Sequence, residues 1–268
     1  MTITEWVDKR EMTGLPTFSF KDVSNAFPHI PTQVVLNHLQ RLQKSHRIQA
    51  IHKGFYTAVP LQYREKGVVP PYNYVGQLMS HLDRPYYIGL LSAGVLNGAA
   101  HQRPQVLSVV TTPPRISFSK GSNSQLDWNY RQSIPTDLLL KTNSDTGPIL
   151  YSNPELTAID LVQYNHLIGG LSVAATVIAE LAEKTDFSKY EEQILKATST
   201  ATLQRLGYIL EHVIEDKQQA DSVLKIIESQ NKRFRDRPLS VNHPAENCER
   251  DSKWKVIINQ EIDPDDIW

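Results

Sequence analysis

The stretch from Pro31 to Arg47 contains side chains whose type and spacing suit the recognition of DNA. Four of its polar residues recur at spacings of four, four and three, and with Gln40 they form the candidate contacts of this stretch: Gln33, Asn37, Gln40, Arg41 and Lys44. Amides suit adenine edges and arginine suits guanine edges, whereas lysine mainly contacts phosphate. Taken alone, the pattern is better explained as the solvated face of an ordinary helix, so the flanking elements decide its meaning.

The apolar residues of the same stretch indicate that it is a helix. Val35, Leu39 and Leu42 recur at spacings of four and three, which places them on one face. Residues 21–28 predict a shorter helix before it, and Pro28 and Pro31 indicate a tight connection between the two. The sequence therefore predicts two helices in close succession, with the candidate contacts on the second.

Two short strands are expected after the longer helix. Residues 48–51 and 55–58 have strand character, and the connection between them is His52-Lys53-Gly54. Gly54 can supply the positive φ that such a hairpin needs, and Lys53 is the sixth candidate DNA contact. This order of elements is typical of a winged helix-turn-helix, in which the second helix enters the major groove and the wing touches backbone or minor groove.

The charge of the chain is unevenly distributed. Residues 1–70 contain nine Lys and Arg against five Asp and Glu, a net charge of +4. The remaining residues contain 19 Lys and Arg against 24 Asp and Glu, a net charge of −5. A basic amino-terminal part on a mildly acidic body is consistent with nucleic-acid contact by the first part only.

Composition predicts a cytoplasmic protein without a membrane span. Cys248 is the single cysteine, which excludes intrachain disulfides and thiolate zinc clusters and suits a reducing compartment. The first residues mix acids and bases, so no secretory signal is expected. The two long uncharged stretches, 85–102 and 161–179, contain too many polar and helix-breaking residues to cross a bilayer and are expected to be buried helices.

The predicted fold is α+β, with two domains. Proline, glycine and charge are dense from Pro60 to Pro71, and the boundary is placed there: residues 1–68 form the winged helix-turn-helix and residues 70–268 a larger α+β domain. We expect an antiparallel or mixed sheet between residues 106 and 151, including hairpins over 115–131 and 138–151. Helical periodicity dominates beyond Asn153, and a short strand is expected over residues 254–258.

Motifs for catalysis are missing from the sequence. It contains no dinucleotide-binding or phosphate-binding glycine loop and no nucleophile elbow. The histidines lack metal-ligand spacing, and Asp127, Asp137 and Lys141 are isolated candidates for a carboxylate–lysine cluster. We therefore predict no catalytic residue, no metal and no cofactor.

Three segments of the chain carry a family resemblance: FSFKDVSNAFPHIPTQVVLNHLQRLQKSHRIQAIHKGFYTAV, YYIGLLSAGVLNGAAHQRP and WKVIINQEIDPDD. They resemble the AbiEi-type antitoxins of abortive-infection systems, a family also described as transcriptional regulators of bacterial defence loci. The chain departs from that family at Ser45-His46, where members often have a glycine after the recognition helix.

The resemblance implies an antitoxin that represses its own operon through the winged helix and counters a toxin through the carboxy-terminal domain. The implied toxin is a nucleotidyltransferase-like protein, and this class of system is usually type IV, in which no stable complex is required. A dimer on promoter DNA is left open. The alternative is a defence-associated enzyme, a nuclease or a modifier of the toxin, that the winged helix docks on DNA.

Overall fold

A computed structural model of the chain describes residues 1–99, 104–117, 125–230 and 234–264. It divides into two units. The first contains Met1–Tyr87, Gln105–Gln132 and Lys141–Leu150, and the second contains the remaining segments, from Ile88, Ser133 and Tyr151 onward. Residues 1–68 therefore lie wholly within the first unit.

The amino-terminal elements follow the predicted order. They are Ile3–Met12 (α1), Thr17–Ser19 (β1), Phe20–Ala26 (α2), Thr32–Lys44 (α3), Ile48–His52 (β2) and Phe55–Ala58 (β3). The three strands form a sheet in the order β1-β3-β2 with antiparallel pairing. This is the winged helix-turn-helix arrangement, and the predicted fold class is confirmed.

Local sequence signals explain why these elements begin where they do. α1 and α2 each start with a capping box, formed by Thr2 with Glu5 and by Ser19 with Asp22. The apolar faces meet in one buried cluster, whose members are Ile3, Val7, Phe18, Val23, Val35, Leu39, Leu42, Ile48 and Ala58. Burial of these side chains holds α3 against the rest of the module.

The remaining strands and helices follow along the chain, and the first of these strands lies in the stretch 85–102 that was expected to be a buried helix. The strands are Tyr86–Ile88 (β4), Leu107–Thr111 (β5), Leu126–Tyr130 (β6), Leu139–Ser144 (β7), Gly147–Ser152 (β8), Arg237–Pro238 (β9), Arg250–Asp251 (β10) and Val256–Ile257 (β11). The helices are Val75–His81 (α4), Leu90–Leu96 (α5), Pro154–Gln163 (α6), Asn165–Ile168 (α7), Leu171–Leu181 (α8), Glu191–Ala197 (α9), Thr200–Tyr208 (α10) and Lys217–Ser229 (α11). A π-helical turn, Ile209–Val213, continues α10.

A five-stranded sheet has the order β6-β5-β4-β8-β7 and is mixed. β5 is buried along its whole length, as its apolar sequence indicates. β7 and β8 are neighbours joined by two residues, so the hairpin expected over 138–151 is present. The second strand of the other expected hairpin, over 115–131, is present as β6. It pairs in parallel with β5, which a hairpin strand was not expected to do. The expected first strand of that hairpin falls partly on residues 118–120, outside the described residues.

The uncharged stretch 85–102 contains a helix that packs closely on another helix. Among the described residues of this stretch, Leu90–Leu96 is the helical part. A Cβ on Gly94 would lie 3.1 Å from the Val177 side chain of α8. Glycine at this position thus permits close packing of α5 on α8, both in the second unit.

The second unit is mainly helical, and its first long helix begins as the sequence predicts. Asn153 caps α6 by accepting the Leu156 amide at 2.9 Å, and Pro154 occupies the first helical position. Near the end of the chain, the Ser172 hydroxyl accepts the Asp263 amide at 3.2 Å and Thr176 donates to the Pro264 carbonyl at 2.9 Å. Asp263 and Pro264 are therefore docked on α8, and residues 265–268 lie outside the described part of the chain. Across residues 1–99, 104–117, 125–230 and 234–264, no helix is long and apolar enough to cross a membrane.

Candidate nucleic-acid interface

The candidate contacts on α3 all lie on its solvent side. Val35, Leu39 and Leu42 are at most 7% exposed and face the module's core. Each helical residue is rotated about 100° from the one before it. On that basis the five candidates occupy an arc of roughly 100° that is centred opposite the buried face. All five are exposed: Gln33, Asn37, Gln40, Arg41 and Lys44.

The two amides at the start of this surface are linked. Gln33 Nε2 donates to Asn37 Oδ1 at 3.1 Å. This bond leaves the Asn37 amide nitrogen as a donor and the Gln33 carbonyl as an acceptor, the pair of groups that an adenine edge requires. The link orients both side chains relative to each other.

The cations of α3 lie in its last turn. Arg41 and Lys44 are exposed, and α3 contains no acidic residue. Among the ion pairs of the described residues, neither cation has a partner. The surface therefore carries positive charge at the end of α3 and amide groups at its start.

The wing tip presents the sixth candidate. Lys53 is exposed in the two-residue connection between β2 and β3. Gly54 has a φ of +72°, as the hairpin prediction required, and its carbonyl accepts the Phe20 amide at 2.7 Å. This bond ties the wing to the start of α2, so Lys53 is held at a defined position within the module.

The end of α3 is well defined although it lacks the glycine that is frequent in the resembling family. The amides of His46 and Arg47 bond to the carbonyls of Gln43 and Leu42, the two bonds of a Schellman motif. His46 takes the left-handed conformation, with a φ of +53°. Its ring lies against Gly67, where a Cβ would approach the ring to 2.8 Å. Gly67 thus makes room for the histidine that occupies the corner.

Two of the nine amino-terminal bases are neutralised inside the module. Arg47 pairs with Asp8, and Arg64 pairs with Glu11 at 3.1 Å. Both arginines are partly buried and act as structural groups. Three of the seven remaining bases, Arg41, Lys44 and Lys53, lie on the α3 surface and the wing.

The structure adds two residues that the spacing argument omitted. Val34 is 48% exposed in the first turn of α3, and an apolar side chain there can contact a thymine methyl group. Lys21 is exposed in the first turn of α2. An apolar residue interrupting the polar face was the sequence signal for Val34, whereas the position of Lys21 depends on tertiary structure.

The isolated acids considered for catalysis are either exposed or engaged in structural hydrogen bonds. Asp127 and Asp137 are exposed, and Asp127 accepts a hydrogen bond from Asn129. Burial raises the pKa of Glu155, but its carboxylate accepts the Asp186 amide at 2.7 Å, which is a structural role. Within the described ranges no cluster of three or more His, Cys, Asp or Glu could hold a metal ion.

The middle of the chain is similar to a known protein domain. A family model of the AbiEi antitoxin C-terminal domain matches residues 87–212, which confirms the resemblance to AbiEi-type antitoxins. Comparison with curated proteins gave no match. The crystal structure of the RV2827C protein from Mycobacterium tuberculosis is similar, with a TM-score of 0.67 over 94% of this chain and 89% of that chain. The two sequences are 12% identical, so this likeness shows a shared fold.

Proposed function

We propose that this chain is an antitoxin that also represses its own operon, and its match to the AbiEi antitoxin C-terminal domain over residues 87–212 supports the antitoxin role. Residues 1–68 bind double-stranded promoter DNA, and residues 70–268 counter a nucleotidyltransferase-like toxin encoded beside it. Neutralisation requires no stable complex with the toxin. The protein acts in the cytoplasm as a regulator without catalysis.

One observation carries the DNA-binding proposal: the exposed side of α3 combines amides and cations and contains no acid. Such a surface satisfies both requirements of a recognition helix, attraction to phosphate and hydrogen bonding to base edges. In this proposal Asn37 and Arg41 contact base edges, and Lys44 contacts phosphate. Lys53 on the wing contacts backbone, because a lysine at a hairpin tip offers a point charge without bidentate geometry.

Promoter affinity is expected to fall steeply with salt. Each phosphate contact contributes a slope of roughly −0.9 in the logarithm of affinity against the logarithm of salt concentration. Lys53→Ala should weaken binding to all DNA sequences about equally and reduce that slope by about 1. The measurement is fluorescence anisotropy on promoter and scrambled duplexes from low to moderate salt.

Lys217→Ala is the matched control, since Lys217 is exposed on α11 in the second unit. It removes the same charge and should leave both affinity and slope unchanged. A parent protein whose promoter affinity does not respond to salt would exclude binding through phosphate contacts.

Antitoxin activity and DNA binding are expected to separate at the 60–71 boundary. Supplied from a foreign promoter, residues 70–268 should restore growth of cells expressing the neighbouring gene, because the family match lies in this part. They should have no strong promoter affinity, whereas residues 1–68 should bind a half-site more weakly than the full chain. Growth assays and gel shifts on each fragment measure this.

The fragments need a folding check because the wing contacts residues beyond the cut. Phe55 stacks on His81 with ring centroids 4.8 Å apart, and the Gln49 side chain accepts the Val69 amide at 2.7 Å. Cooperative thermal melting of each fragment establishes that it folds. A fragment 70–268 that melts cooperatively yet gives no protection would refute the division of labour.

A further inference from the structure

The second unit contains a cavity of about 220 Å³ whose lining extends beyond the family match. Thr200 and Gln230, at the start of α10 and the end of α11, line one side. Phe234, Arg235 and Arg237 line the other. Pockets for drug-sized ligands begin at roughly 300 Å³, so this cavity suits a group of a few atoms.

Positive charge accumulates at this cavity although the body of the chain is acidic. Arg235 and Arg237 line it and are exposed, whereas Arg205 is partly buried outside its lining, where its Nε donates to the Pro238 carbonyl at 2.9 Å. Burial lowers the pKa of Arg205, and the charge of Arg237 lowers it further. The two arginines that line the cavity carry like charge, and an anion bound between them stabilises both.

Acids near these arginines are engaged elsewhere. Asp236, which lies between Arg235 and Arg237 in sequence, pairs with Arg250 at 3.1 Å. In the part of the chain that the structure describes, no acid forms an ion pair with Arg205, Arg235 or Arg237. Their guanidinium groups therefore remain available to a ligand.

A buried amide holds the backbone of this segment in place. Gln204 is 1% exposed, and its Nε2 donates to the carbonyls of Arg235, Trp254 and Lys255 at 3.0, 2.8 and 3.2 Å. Such a satisfied buried network rigidifies its surroundings. The position of Arg235 at the cavity is thus fixed by the core of the unit rather than by a free surface loop.

The lining also offers an aromatic surface. Phe234 is partly buried beside the two exposed arginines, so one face of a ligand can lie on an apolar ring while its charged group meets guanidinium. Arginine binds phosphate in bidentate geometry, and aromatic rings stack on nucleobases. A phosphate joined to a base has both features.

We propose that this cavity binds the phosphate group of a mononucleotide, with Arg235 and Arg237 on the phosphate and Phe234 against the base. Thr200 lies at the cavity wall, where its hydroxyl, which bonds to Gln230 at 3.3 Å, can turn to a phosphate oxygen. The site is separate from the α3 surface and adds a small-molecule ligand to the proposed function.

The test is calorimetric titration of the full chain with AMP, adenosine and inorganic phosphate in turn. AMP should bind, inorganic phosphate should bind more weakly, and adenosine should give no heat. Arg235→Ala/Arg237→Ala should weaken AMP binding by at least roughly tenfold, since each hydrogen bond to a charged group contributes about 1.5–3 kcal/mol. Phe234→Ala should weaken the binding of AMP while leaving the binding of inorganic phosphate unchanged.

Lys141→Ala/Lys217→Ala is the matched control, since it removes two exposed charges that do not line the cavity. It should bind AMP as the parent does, and thermal melting of each variant verifies its fold. Three results would overturn the proposal: adenosine binding as tightly as AMP, phosphate binding as tightly as AMP, or a folded arginine variant that keeps full affinity.

Discussion

Asn37→Ala and Arg41→Ala are each expected to abolish much of the preference for promoter over scrambled DNA. A good base contact by either side chain contributes about 1–3 kcal/mol of discrimination. Both residues are exposed on α3, and alanine favours helix, so the fold of the module should be unaffected. Affinity for scrambled duplex should fall less than affinity for the promoter.

Competition binding with promoter and scrambled duplexes measures the effect, and a footprint shows whether the register is kept. Gln43→Ala is the matched control, because Gln43 is exposed on α3 but lies on the flank of the recognition surface. It should keep the parent's preference. If both variants retain the promoter footprint and affinity, another surface of the module recognises DNA.

Asn37→Ala has a second consequence because of the bond that Asn37 accepts. Without it, Gln33 loses the partner at 3.1 Å that orients its amide. The two side chains are therefore expected to be coupled, and the double variant Gln33→Ala/Asn37→Ala should cost less than the sum of the two single changes. Additive losses would indicate that the amides act separately.

Gly207→Ala is expected to destabilise the second unit by about 3 kcal/mol or more, at the upper end for overpacking. A Cβ at this position of α10 would lie 1.9 Å from the ring of Trp254. Trp254 is fully buried, and its Nε1 donates to Glu211 at 2.6 Å, so the ring has no room to retreat. The helix itself would have to move.

Thermal and denaturant unfolding measure this loss, which corresponds to a melting temperature lower by roughly 6–12 °C. Lys225→Ala, at an exposed position of α11, should change stability by less than about 0.5 kcal/mol. Trp254→Leu removes the obstructing ring, so Gly207→Ala should cost much less in that background. An equal cost in both backgrounds would place the cause in backbone conformation rather than in the contact with Trp254.

The sequence by itself determined the elements that depend on neighbouring residues. The spacing of Val35, Leu39 and Leu42 was sufficient to predict α3 and its exposed side. Asn153-Pro154 was sufficient to predict where α6 begins. Gly54 indicated the wing turn. Each of these signals acts over one or two turns of chain, where periodicity and capping have local causes.

Only the tertiary structure decided which distant residues meet. β6 lies parallel to β5 rather than in a hairpin, Gly207 lies beneath Trp254, and Arg235 and Arg237 meet Thr200 at a cavity. No local pattern specifies these pairs, because strand pairing, close packing and charge clustering depend on how whole elements assemble around a core. The recognition surface could therefore be predicted from one helix, whereas the arginine-lined cavity, built from segments some thirty residues apart, could not.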